Sequence, residues 1–158
     1  MTIAIKPTPV RKSVMVDAPI ARAFDVFTAG FGRWWPSTHS IGGSPIKTSI
    51  IEPRSGGRWY EIGEDGSECD WGEVLAWEPP ARVLLAWRIG ANWQFDPDLL
   101  TEVDVRFTAL GDNATRIDLE HRLLENMGAA GEKAREIFDS EGGWTGILAA
   151  YMAAAGSL

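Results

Sequence analysis

The chain has 158 residues, the size of one ordinary domain, with 45% apolar and 23% charged residues. A chain of this length buries about 70% of its unfolded surface, so it needs no disulfide or structural metal, and its one cysteine, Cys69, excludes an intrachain disulfide. The net charge of −7 repels phosphate backbones and anionic bilayers, so neither a nucleic-acid nor a membrane partner is expected.

Residues 1–9 read as a flexible N-terminal arm, with Pro7 and Pro9 opposing regular structure, and residues 10–158 as one domain. Met1–Pro9 has no apolar run of signal-peptide length, and no stretch approaches the ~20 apolar residues of a spanning helix. With a single cysteine, this points to the cytoplasm. Val10 to Val16 predicts a strand, with Val10, Lys12, Val14 and Val16 on one face. Asp17-Ala18-Pro19 starts a helix with Asp17 or Ala18 as the cap. Ile20, Ala23, Phe24 and Phe27 form its apolar stripe, and it ends near Gly30. A second short helix runs from Phe31 to Trp35 and stops at Pro36.

From Ile46 the period becomes two. Strands are predicted at Ile46–Glu52, Arg58–Ile62, Cys69–Trp77, Val83–Ile89, Thr101–Ala109 and Thr115–Leu123. The short turn-rich links imply antiparallel neighbours. In the last two strands Val103, Val105, Phe107, Ile117, Leu119 and His121 oppose a charged set, so the sheet is covered on one face only. Glu132 to Ala155 predicts one final helix, with Ile137, Trp144, Leu148, Tyr151 and Ala155 on a broad face. Gly142, Gly143 and Gly146 interrupt it at about 1 kcal/mol each against alanine. They mark a cap or break, a close approach to the sheet, or room left for a ligand.

This order of elements, with its motifs, resembles the START-like (SRPBCC, helix-grip) superfamily, and within it the family of activator of heat-shock-protein-90 ATPase homologues. The matching pieces are Val16-Asp17-Ala18-Pro19 with Ala23-Phe24, Phe31-Gly32-Arg33-Trp34-Trp35-Pro36, Gly56-Gly57-Arg58-Trp59 and Gly72-Glu73-Val74. They continue with Glu78-Pro79-Pro80-Ala81-Arg82-Val83 leading to Trp87, Leu119-Glu120-His121, and Gly142-Gly143-Trp144 with Leu148. The resemblance implies an α+β helix-grip fold. In it a seven-stranded antiparallel sheet wraps around a long C-terminal helix, two short helices follow the first strand, and a cavity lies between sheet and helix. The eukaryotic namesakes carry a further N-terminal domain that engages the chaperone. Residues 1–9 do not supply it, which counts against a chaperone contact.

The eight tryptophans suit either a solid aromatic core or an apolar slot with a few N–H donors. His39, in the polar loop after the second helix, reads as a solvent-exposed residue, a guard of the cavity mouth, or a base. His121 falls on the dry face, where an unpaired ring would cost about 1–3 kcal/mol. It therefore calls for a partner in a ligand, a water, the backbone or a side chain such as Tyr151. Glu61 shares a face with Trp59. Turned inward, its carboxyl would be desolvated, its pKa would rise, and it would be the best general acid or base; at an edge it would meet water. The pattern does not fix the inward face of the strands carrying Trp59 and Trp71.

Three functional readings follow. The first is a binder of a small hydrophobic molecule. Its walls are Trp35, Trp59, Trp71, Trp87, His121, Trp144, Leu148 and Tyr151, and the loop from Trp35 to Ser44 is its gate. The second is an enzyme acting on that ligand with Glu61 or His39 as acid–base. The third is a co-chaperone-like interaction module with an exposed apolar patch. No metal or cofactor is expected, because no ligand spacing, phosphate loop or dinucleotide fingerprint occurs. An exposed edge strand would permit a homodimer.

Overall fold

The period-two segments form strands where the sequence puts them. In a computed structural model describing residues 7–156, these are β1 (Val10–Val16), β2 (Ile46–Ile51), β3 (Arg58–Gly63), β4 (Glu68–Glu78), β5 (Arg82–Trp87), β6 (Thr101–Gly111) and β7 (Ala114–Arg122). They join in one seven-stranded antiparallel sheet of order β1-β7-β6-β5-β4-β3-β2. β2 to β7 pair with their neighbours in sequence, and β1 closes onto β7, with Val10 opposite His121 and Val16 opposite Thr115. Residues 1–6 of the expected arm lie outside the described residues. Residues 7–9 have no regular structure, and the Thr8 carbonyl accepts a hydrogen bond from Arg135 (2.8 Å).

The alternation sorts the faces as expected. Val103, Val105, Phe107, Ile117, Leu119 and His121 are buried under the helices. The outer face carries ion pairs such as Arg122–Glu102 and Arg11–Glu120. That face is not uniformly wet, however. The Asp104 carboxylate is buried beneath Arg82, Arg106 and Arg122, all of which reach it. Lys12 stands on the inner face because its ammonium reaches the carboxylate (2.7 Å) and carbonyl (3.2 Å) of Asp139 at a helix C-terminus, where positive charge is favoured.

Two short helices follow β1: α1 (Ile20–Phe27) and α2 (Phe31–Trp34). The cap of α1 is Pro19, and no side chain of Asp17 or Ala18 bonds to the helix end. The helix also stops earlier than predicted, at Phe27, where the Thr28 hydroxyl donates to the Phe24 carbonyl. Phe24 and Phe27 meet Phe107 edge-on across the sheet, and Phe27 also touches Trp34 and Tyr151. Edge-to-face pairs of this kind add about 0.5–1.5 kcal/mol each beyond their buried area.

The C-terminal helix is present but broken, as one reading of its glycines has it. α3 (Gly131–Asp139) and α4 (Gly146–Ala155) are separated by a wide turn, Glu141–Thr145, in which Gly143 leaves helical geometry (φ −100°, ψ −137°). The break re-registers the helix face. Ile137, predicted to share a face with Trp144, is 38% exposed, and Phe138 is buried in its place. α4 keeps Leu148, Tyr151 and Ala155 inside, against α1, α2 and β1.

The glycines are not equivalent. A Cβ on Gly143 would collide with the carbonyl oxygens of Ile137 and Phe138, and one on Gly146 with that of Glu141, whereas one on Gly142 would meet only Ser140 Oγ at 3.9 Å. Gly143→Ala is therefore expected to destabilise the chain by about 2 kcal/mol or more, and Gly142→Ala to shift stability by less than about 0.5 kcal/mol. Urea unfolding of the two variants checks this, and equal losses would contradict it.

Candidate functional site

Four indoles, Trp71 on β4, Trp87 at the end of β5, Trp144 in the turn between α3 and α4, and Trp35 after α2, converge between the sheet and the broken helix. Trp35 lies 5.0 Å from Trp71 and 6.1 Å from Trp144, and Trp87 lies 6.0 Å from Trp144, all centroid to centroid. A buried indole needs an acceptor for its N–H, and each of these has one in the protein. Trp71 donates to the Glu61 carboxylate (2.9 Å) and Trp144 to His121 Nδ1 (3.1 Å). Trp35 donates to the His39 carbonyl (3.0 Å), and Trp87 to that of Ile89 (3.1 Å).

Glu61 is buried and inward-facing beside Trp59, as one of the two sequence readings has it. Besides Trp71 it accepts the Ile41 backbone N–H (2.8 Å) and the Ser40 hydroxyl (2.5 Å). One carboxylate thus ties the loop after α2 to the sheet.

His121 is fully buried, and its partners are side chains on either side. Its Nδ1 accepts from Trp144, so the neutral ring carries its proton on Nε2 and donates it to Thr101 Oγ1 (2.9 Å). That hydroxyl in turn donates to the Trp87 carbonyl (2.8 Å). The Phe138 ring stacks on the imidazole at 4.5 Å. Burial pushes the His121 pKa down to about 3, so the ring stays neutral. Tyr151, one of the partners the sequence left open for His121, instead donates to the Ala23 carbonyl (2.7 Å), and burial raises its pKa.

These indoles wall a cavity of about 380 Å³ that opens to solvent. Phe138, Ile41, Ile89, Ile147 and the backbone of Gly142 and Gly143 complete the wall, and Trp93 and Ile137 stand at the mouth. Among the described residues, polar side chains enter only from one loop, as Thr38, His39 and Ser40, and no Asp, Glu, Lys or Arg lines the space. His39 Nε2 lies 2.7 Å from the Gly142 carbonyl, and its Nδ1 lies 3.1 Å from Thr38 Oγ1. Among the described residues, no three of His, Cys, Asp and Glu gather to hold a metal ion.

Of the residues singled out from sequence, Trp35, His39, Trp71, Trp87 and Trp144 line the cavity. Trp59, Glu61, His121, Leu148 and Tyr151 do not. All five are buried, Glu61 and His121 directly behind the wall and the other three in the core. Sequence reasoning missed Trp93 and Phe138, and placed Thr38 and Ser40 only within the gate loop from Trp35 to Ser44. The signal for Phe138 was the Gly142-Gly143 pair, which shifts the helix face. Trp93 lies in the irregular segment after β5 at positive φ (60°), where no periodicity could place it.

Because the folded protein holds His121 neutral while the unfolded chain protonates it near pH 6.5, acid favours unfolding. Stability should be complete above pH 6.5 and fall towards pH 3, by at most about 1.4 kcal/mol per pH unit. Urea midpoints at pH 6.5 and 5 check this, along with His121→Gln, which should remove the slope from that window. The ring should also resist titration to pH 5 by NMR. A ring that protonates near pH 6.5 would contradict the buried neutral tautomer.

Comparison with known proteins places this geometry. An anthrahydroquino-gama-pyrone synthase, Txn09, is 36% identical over 93% of this chain and 96% of its own, with a TM-score of 0.65. The self-sacrificing resistance protein CalC from Micromonospora echinospora is 33% identical over 94% of each chain, with a TM-score of 0.70. The Aha1 dimer from Colwellia psychrerythraea shares the fold at 13% identity, with a TM-score of 0.61 over 96% of this chain and 99% of that one. No curated protein matches the sequence. Residues 17–155 match the family described as Activator of Hsp90 ATPase homolog 1-like protein, and the chain belongs to that family.

Proposed function

We propose that the chain binds a flat, fused-ring hydrophobic molecule with one polar edge, in the cavity between the sheet and the broken helix. The observation that carries this reading is the direction of the indole N–H groups. Those of Trp35, Trp71, Trp87 and Trp144 are turned to protein acceptors, so these four offer the space their ring surface and no donor. Of the two sequence readings, a solid aromatic core and an apolar slot with a few N–H donors, this favours the slot, walled mainly by aromatic ring surface with a polar margin at Thr38, His39 and Ser40. Its volume falls in the 300–1,000 Å³ range of small-molecule sites. A planar polycycle fills such a space through stacking and edge contacts, and its oxygens meet the polar margin. The anthrahydroquino-gama-pyrone synthase among the relatives supports a polycyclic aromatic ligand class. No helix among the described residues is long and apolar enough to cross a membrane.

Isothermal titration with 1,8-dihydroxyanthraquinone, against palmitate as a flexible apolar control, tests this reading. The quinone is expected to bind in the micromolar range and palmitate at least tenfold more weakly. Trp93, 46% exposed at the mouth, contributes one aromatic contact. Trp93→Ala should weaken quinone binding roughly 2- to 10-fold and leave the unfolding midpoint unchanged. Absence of quinone binding, or preference for palmitate, would overturn the proposal.

A further inference from the structure

Building on that binding reading, the geometry points to a catalytic role: we infer that Thr38 and His39 form an acid–base pair for proton transfer on the bound molecule. Among the described residues, His39 is the only titratable side chain in the cavity lining. The Gly142 carbonyl can only accept, so the contact at 2.7 Å requires the proton on His39 Nε2. The neutral ring then presents the Nδ1 lone pair, which accepts from the Thr38 hydroxyl at 3.1 Å. A hydroxyl on an imidazole that is oriented by a third group is the arrangement that lets a weak base act in one fixed direction. Both members lie at the one polar margin of an otherwise apolar space.

The surroundings fix this pair in place. The His39 carbonyl accepts the Trp35 N–H, and the adjacent Ser40 and Ile41 are bound by Glu61, so the loop is anchored on both sides of the imidazole. Glu61 touches no part of the cavity, and its oxygens already accept three donors. It is a positioning residue for the loop, and the acid–base role falls to His39.

The substrate class is a flat aromatic carrying a 1,3-dicarbonyl or an equally acidic phenol. In the forward step the C–H or O–H bond of the substrate breaks and its proton passes to His39 Nδ1, directly or through Thr38 Oγ1. The electron pair stays on the substrate as an enolate or phenolate. The imidazolium keeps its Nε2–H on the Gly142 carbonyl, and in the return step it gives a proton back. No oxidant or co-reactant is required.

The test uses 1-(naphthalen-2-yl)butane-1,3-dione as probe. Binding is followed by calorimetry, and exchange of the C–H between the carbonyls for deuterium by NMR. The intact protein should accelerate exchange about 100-fold or more over buffer. His39→Gln should reduce the acceleration at least 50-fold at saturating probe. Thr38→Val should reduce it more than fivefold. Added imidazole should restore exchange to His39→Ala, an effect that a merely structural histidine would not show. Binding without acceleration, or full acceleration in His39→Gln, would overturn this inference alone. Absence of binding would overturn it together with the binding reading.

Discussion

A buried indole costs about 1–3 kcal/mol if its N–H finds no acceptor, and the organisation of this protein follows from how that demand is met. Trp71 and Trp144 face each other's neighbourhood from sheet and helix, and each gives its proton to a buried polar side chain behind it, Glu61 and His121 respectively. Those acceptors do more than satisfy the donors. Glu61 also takes the loop residues Ser40 and Ile41, and His121 reaches through Thr101 to the strand at Trp87. Two buried residues outside the cavity therefore set the positions of most of its wall. Trp59 is the exception, since its buried N–H has no partner among the described residues.

The same constraint explains the glycine-rich break. A continuous helix from 131 to 155 would carry Ile137 and Trp144 on one face, seven residues apart. Opening the helix at Gly143 instead brings Phe138 onto the His121 ring and leaves Trp144 within reach of Nδ1. The Gly142 carbonyl at the break then receives the His39 proton. One local departure from helical geometry thus serves both the inner polar residue and the outer loop. Backbone carbonyls occupy the positions where Cβ atoms would otherwise stand.

The sheet was legible because its signal is local. Alternation and turn chemistry fix strands to within a residue or two, and β6 and β7 reveal their inner face without help from any partner. The resemblance supplied what the pattern lacked, the grip of the sheet on the helix. The site was legible only in part. Trp35, Trp71, Trp87 and Trp144 were found because large aromatic residues on covered elements have few places to go, and His39 because it follows an aromatic helix in a polar loop. His121 was recognised as a buried polar group in need of a partner and Glu61 was left between an inward and an edge position, but which side of the wall they occupy depends on the β3–β4 register shift near Trp59 and on the helix break. Neither leaves a periodic trace. Trp93 was illegible for the same reason, lying in an irregular loop where its ring meets Phe138 edge-on.

The account rests on the cavity indoles pointing their N–H groups into the protein. Hydrogen exchange of the indole Nε1–H resonances, read by NMR in the ligand-free protein, tests this most directly. Trp71 and Trp144, bonded to Glu61 and His121, should exchange at least about 100-fold more slowly than Trp93 at the mouth, since a buried, hydrogen-bonded proton needs local opening to exchange. Exchange of Trp71 or Trp144 as fast as that of Trp93 would mean that their donors face the open space, and would contradict the account.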